Sequence, residues 1–322
     1  LGLFFILGCR HKTSLNRDQI LPHYAKNFFL SVEGQDTALH IINGKDTLTF
    51  NKQTESTFHL LSTTQAGFFS LLKNFSNIRG VVYPNEIRSK EIQECIKNRQ
   101  IIDLNPGQSE INHELLWQKP AAYVLYSPFE PVDFSLPKAT RKIPFVDYTE
   151  THPLGRLEWI KVIGFLSNKH KESERIFNEK VSQYKNRICT TTQSKKVLVG
   201  SWDGEFFYIN STQSTIHQTL MDAGLSAFSS VEKGNTQWDK EILWSKLPDV
   251  DHIVWITTLQ QKNGLEKEMQ QPESWQKKWG IIPHFIFIDT CSYFQNAITQ
   301  PEKLLYDFSH LDEQNIKTFV TN

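Results

Sequence analysis

Short β-rich runs alternate with helix-patterned segments twice along this chain, and a long stretch without Gly or Pro, from about Lys171 to Ile188, separates the two series. Strands that alternate with helices predict parallel sheets covered by helices. The first series runs FHLLST, a helical Gln65 to Phe75, GVVYP, SKEIQECIKN, IIDLN, EINHELLWQ, AAYVLYS and IPFVDY. The second runs KKVLVGSW, STIHQTLMDAG, EILWSKL, DHIVWIT, HFIFID and PEKLLYDFSHL. Between them Pro153 opens a helix in which Trp159, Val162, Ile163 and Leu166 fall at i, i+3, i+4 and i+7. A second helix follows, with Phe177, Val181, Tyr184 and Ile188 on one face. The expected architecture is α/β, with two lobes carrying central parallel sheets and joined by a single long helix. Its parts are an N-terminal lobe at 58–168, a connecting helix at 169–191 and a C-terminal lobe at 192–322. A length of 322 residues allows each lobe its own core.

The first nine residues, LGLFFILGC, are an apolar run that ends in a small residue and Cys9, after which the chain turns polar. Such a run is the tail of an export signal. Ile6-Leu7-Gly8-Cys9 resembles the bacterial lipobox, so residues 1–9 are expected to be a truncated lipoprotein signal, with Cys9 lipidated as an anchor to the membrane. Residues 10–57 are expected to form a tether and a small β hairpin region, with FFLSVEG, ALHIING and DTLTF as its strands. Cys95, Cys189 and Cys291 are widely spaced and suit small buried side chains better than a disulfide framework.

Lys plus Arg and Asp plus Glu both number 35, so no basic field exists to hold nucleic acid. Enzyme signatures are missing as well: there is no G-x-S-x-G elbow, no phosphate-cradling G-x-x-x-x-G-K-[ST] and no H-E-x-x-H. The eleven His are dispersed, which disfavours direct binding of zinc or manganese. In open α/β sheets ligands bind beyond the carboxyl ends of the strands. That rule selects Thr63, Thr64 and Gln65, Tyr83 and Pro84, Tyr126 and Ser127, His152, Trp202 and Asp203, Phe206 to Tyr208, Trp255, Tyr293 and Phe294. The ligand-binding expectation settles on Thr64, Tyr83, Tyr126, His152, Trp202, Phe207, Tyr208, Trp255 and Tyr293. Aromatic rings with polar tips can pack on a flat ligand and bond to its rim. His152 has two possible roles, axial ligand to a metal centre or cap of the following helix.

LLSTTQAGFFSLL, INHELLWQKPAAYVL, IPFVDYTETHPLGRLEWIKVIGFL, KESERIFNEKVSQY and YFQNAITQPEKLLYDFSHL, in this order, resemble the periplasmic binding proteins of ABC importers for iron siderophores, haem and cobalamin. The resemblance covers Phe58 to Leu311. It implies two Rossmann-like lobes, a ligand in the cleft between them, no catalysis and no resident cofactor. It also implies a monomer that faces the periplasm and serves an ABC permease and its ATPase. The implied ligand is an iron complex, siderophore or haem, with a corrinoid as the alternative. A surface-anchored lipoprotein working with an outer-membrane receptor is a further alternative. Glu114 in INHELLW and Glu241 in WDKEILW match the family's glutamates that meet an arginine pocket on the permease. The loop WDGEFFYINSTQST departs from the family pattern, with Asn210 where a glycine usually precedes the serine.

Overall fold

The computed structural model describes residues 18–107, 110–128, 135–191, 195–229, 234–269, 284–312 and 320–321. Cys9 and the signal lie outside the described residues. Strands β1 (Asp18–Ile20), β2 (Phe28–Glu33), β3 (Asp36–Asn43) and β4 (Asp46–Asn51) form an antiparallel sheet in chain order. Its last two hairpins turn through two-residue loops led by Gly34 and Gly44, whose φ values of +62° and +65° suit glycine. Phe28, Leu30, Leu39, Ile41 and Phe50 are buried in the core.

The first lobe is built from β5 (Phe58–Leu60), α1 (Thr63–Leu71), β6 (Ile78–Val81), α2 (Lys90–Lys97), β7 (Ile102–Asp103), α3 (His113–Gln118), β8 (Tyr123–Tyr126) and β9 (Arg141–Pro144). Its five strands are all parallel, in the order β7-β6-β5-β8-β9. The crossover connections demand that arrangement. Next come α4 (Pro153–Glu158), α5 (Ile160–Leu166) and α6 (His170–Lys185). The pattern Trp159, Val162, Ile163, Leu166 predicts one apolar face, yet every residue from Pro153 to Leu166 is buried. Within 169–191 the helix is α6, 16 residues and about 24 Å long. It stops at Lys185 and leaves Ile188 beyond it, 41% exposed, so no unusually long helix lies between the lobes. α6 packs against α5 and against the last described helix.

The second lobe comprises β10 (Lys196–Trp202), β11 (Phe207–Ile209), α7 (Thr215–Asp222), β12 (Ser226–Phe228), β13 (Thr236–Trp238), α8 (Lys240–Lys246), β14 (His252–Thr257), α9 (Leu259–Met269) and β15 (His284–Asp289). It ends with α10 (Thr290–Ser292), a π-turn at Tyr293–Ala297, α11 (Pro301–Ser309) and β16 (Val320–Thr321). The expected parallel sheet is mixed here. β10, β12, β14 and β15 are parallel, whereas β11 pairs antiparallel with β10, β13 antiparallel with β11, and β16 antiparallel with β15. The reason is the turn at Asp203, whose Oδ1 accepts the N–H groups of Glu205 (2.9 Å) and Phe206 (2.8 Å) and folds β11 back on β10. Gly200 permits the close pairing, since a Cβ there would lie 2.6 Å from the Tyr208 carbonyl.

Two buried carboxylates pin the N-terminal segment to the helices after β9. Glu158 accepts the N–H groups of His23, Tyr24 and Ala25 at 2.7 to 3.0 Å. Glu150 accepts those of Lys26 and Asn27 and the Trp159 indole.

His59 sits in β5, fully buried, with Nε2 2.9 Å from the Lys119 carbonyl and Nδ1 without a partner. Burial pushes its pKa down from 6.5 to about 4. A neutral folded imidazole loses ground as the unfolded chain takes up a proton. Stability from this group is therefore complete above pH 6.5 and falls as pH drops toward 4. The expected loss is about 3 kcal/mol. Denaturant titrations across that range should show it in the wild type and a shallower acid limb in His59→Gln; equal slopes would contradict it.

Candidate ligand-binding site

One cavity of about 680 Å³ opens between the lobes. That volume lies in the range of small-molecule sites. Its first wall is Tyr148 to Thr151, just past β9, together with Arg156 of α4. Opposite stand Ser201 to Asp203 at the end of β10, Tyr208 of β11 and the loop from Asn210 to Thr215. Gly234 and Asn235 before β13, Ile256 of β14, Thr258 and Gln261 after it, and Thr290, Tyr293 and Phe294 after β15 complete it. The carboxyl ends of β9, β10, β14 and β15 thus meet across the cleft.

Local chemistry fixes these groups. Tyr208 donates its hydroxyl to Asp203 at 2.8 Å, and the carboxylate holds that phenol above its usual pKa. The backbone N–H groups of Phe206 and Glu205 keep the Asp203 carboxyl below its usual range, so it stays anionic. Arg156 donates Nε and Nη2 to the buried Asp147 at 3.0 and 2.8 Å. Burial pushes the Glu150 carboxyl up, against the hydrogen bonds it accepts from Trp159, Lys26 and Asn27.

Of the nine residues expected at the ligand, Trp202, Tyr208 and Tyr293 line the cavity. The other six do not. Phe207 and Trp255 are 2% and 0% exposed and pack on each other in the second lobe's core, with ring centroids 5.3 Å apart. Thr64 is buried at the start of α1, Tyr126 is half-buried at the end of β8, and Tyr83 is exposed in a left-handed turn with φ +49°. His152 caps α4, its Nδ1 accepting the Leu154 N–H at 3.1 Å, and its ring lies 5.1 Å from Tyr24. Of its two possible roles, the cap is the one this geometry supplies. Thr149, Glu150, Arg156, Gln213, Asn235 and Gln261 were missed. The first two lie in the segment after β9, past the run IPFVDY read as a strand from the sequence, where the strand-end rule points.

The π-turn joins the site to the first lobe. Tyr293 and Phe294 face the cavity, while Gln295 accepts the Arg88 N–H and donates to the Glu86 carbonyl, both at 2.8 Å. Gly67 of α1 makes room for it, because a Cβ there would lie 2.5 Å from the Gln295 carbonyl. π-turns of this kind often mark functional sites. Arg88 and Asp289 add an ion pair at 3.0 Å.

The periplasmic binding protein family model matches residues 93–277, more than half of the chain. The chain belongs to the periplasmic binding protein family. This binding protein is bilobed and α/β, and it superposes on solved structures of the same build. A periplasmic binding protein from Veillonella parvula matches with a TM-score of 0.64 at 12% identity, over 86% of this chain and 99% of the other. The petrobactin-binding protein YclQ from Bacillus subtilis gives 0.64 at 12%, over 85% and 99%. The triscatecholate siderophore-binding protein FeuA from the same organism gives 0.61 at 15%, over 84% and 96%. At these identities the likeness is one of fold. None of the curated proteins matches the binding protein by sequence. Among the described residues no helix is long and apolar enough to cross a membrane, and no cluster of His, Cys, Asp or Glu could hold a metal ion. The family is one of ligand carriers, and its members work within ABC-type import systems.

Proposed function

We propose that the chain captures a metal chelate in the interlobe cavity and delivers it to an ABC permease driven by its ATPase. The cavity itself carries this reading: about 680 Å³ walled by Trp202, Tyr208 and Tyr293, open enough for a ligand of several hundred daltons. Structural neighbours support it, since FeuA is described in complex with ferri-bacillibactin and BauB with ferric acinetobactin. An iron complex is the first ligand class and a corrinoid the second. Absorption by protein purified from its host tests this: a ferric charge-transfer, corrin or Soret band supports a chelate. A colourless protein that takes up no added chelate would count against it.

In this reading residues 1–9 are a lipoprotein signal, Cys9 anchors the mature chain in the cell envelope, and α6 is the strut between the lobes. Cys9→Ser should release the protein on osmotic shock; persistent membrane association would oppose lipidation.

Glu114 and Glu241 are the proposed permease contacts. Both occupy the second position of a short helix, after the capping residues Asn112 and Asp239. Each helix leads into an inner strand, β8 or β14, and the local sequences Glu-Leu-Leu-Trp and Glu-Ile-Leu-Trp repeat one another. Leu116 and Leu243 are buried while both glutamates are exposed, which supports the reading of two alike acidic contacts at matching positions of the two helices. Electrostatic complementarity of this kind sets orientation and encounter rate. Replacing both by Lys should leave folding and ligand affinity unchanged and abolish permease association and uptake. Normal uptake would remove them from the contact.

A further inference from the structure

Resting on the chelate-binding reading above, we infer that the cavity takes a chelate whose periphery is uncharged and rich in amides or hydroxyls, and whose metal is already fully coordinated. Charge argues first. Among the described residues the wall carries three ionisable acids and bases apart from its tyrosines: Glu150, Arg156 and Asp203. Each is committed elsewhere. Arg156 is held by the buried Asp147, Glu150 by the Lys26 and Asn27 N–H groups and the Trp159 indole, and Asp203 by its own turn and Tyr208. One cation against two anions, with a third carboxylate behind the cation, gives no positive field for a polyanionic ligand among the described residues. Enclosing unpaired anions away from water is costly.

Metal ligation argues second. No His, Cys or Met stands on the described wall. Its phenols, Tyr148, Tyr208 and Tyr293, are all pushed above their usual pKa, the first and last by burial and Tyr208 by its bond to Asp203. Protonated phenols are poor ligands for a metal that still needs one. The polar complement argues third. Asn210, Gln213, Asn235 and Gln261 supply carboxamides, and Ser and Thr hydroxyls lie between them. Carboxamides and hydroxyls both donate and accept, which matches an amide-bearing rim. The rings of Trp202 and Phe294 supply apolar faces.

The test is calorimetric titration of the full chain at neutral pH with four probes. Ferrichrome is an uncharged ferric hydroxamate and cyanocobalamin an uncharged corrinoid. Ferric enterobactin is a trianionic catecholate, and hemin carries two carboxylates and an open metal. One uncharged probe should bind at least about tenfold more tightly than either anionic one, with little dependence on salt. Which of the two binds identifies the source of the chemistry. Tighter binding of ferric enterobactin or hemin would overturn the inference and leave the chelate-binding reading standing. Binding of none of the four by folded protein would overturn both.

Discussion

Glu158→Ala should cost about 3–5 kcal/mol of folding stability, the range for breaking a buried charge network from one side. Glu158 is 0% exposed and accepts three consecutive backbone N–H groups, from His23 to Ala25. It also takes the Lys161 ammonium at 2.9 Å. Removing the carboxylate strands three donors, of which the Ala25 N–H is buried and the His23 and Tyr24 N–H groups are partly so, at about 1–3 kcal/mol for a buried unsatisfied group. Lys161 keeps Glu174 at 3.2 Å, so its charge is not orphaned and the loss stays below the sum of the parts. Urea unfolding should show the shift, and proteolysis should open the chain near residues 18–27 first. A loss under about 1 kcal/mol would mean that the segment is held by its apolar contacts instead.

Trp255→Ala should be comparably damaging, by about 3–5 kcal/mol, while leaving the ligand site intact. The indole is fully buried in β14, against Phe207 and over Gly200, where a Cβ would come within 3.0 Å of the ring. No atom of it lines the cavity. Thermal unfolding of the variant should drop sharply. Where it remains folded, its ligand affinity should stay near that of the wild type, and a selective loss of affinity would return Trp255 to the site.

The contrast between Trp255 and Trp202 shows what the sequence carried and what it did not. Helices and inner strands were legible because their apolar periods are long: α2, α7, β8, β10, β14 and β15 all fall within the runs read from the sequence, and α1 overlaps its run but starts two residues earlier. β11 and β13 were not, since three residues are too short to display an alternation. That omission hid the sorting of the aromatic cluster. On a strand successive side chains face opposite sides, so Phe207 goes to the core and Tyr208 to the cavity. Trp255 was illegible for another reason: all six residues of β14 are buried, because helices and loops cover both faces of an inner strand. His152 precedes a proline at a helix start, and its capping role needed only that local pattern. Gln295 offered no signal, since its role depends on a π-turn and on Gly67 far away in sequence.

The central claim is that ligand sits between the lobes against the end of β10. Calorimetric titration of Trp202→Ala with the chelate that the wild type binds tests it most directly. The indole lines the cavity and is half-buried, so its loss should weaken binding by about 1–3 kcal/mol, roughly 5- to 150-fold. Unfolding temperature should move far less than in Trp255→Ala. Affinity within about twofold of the wild type, in a variant shown to be folded, would contradict the placement of the ligand in this cavity.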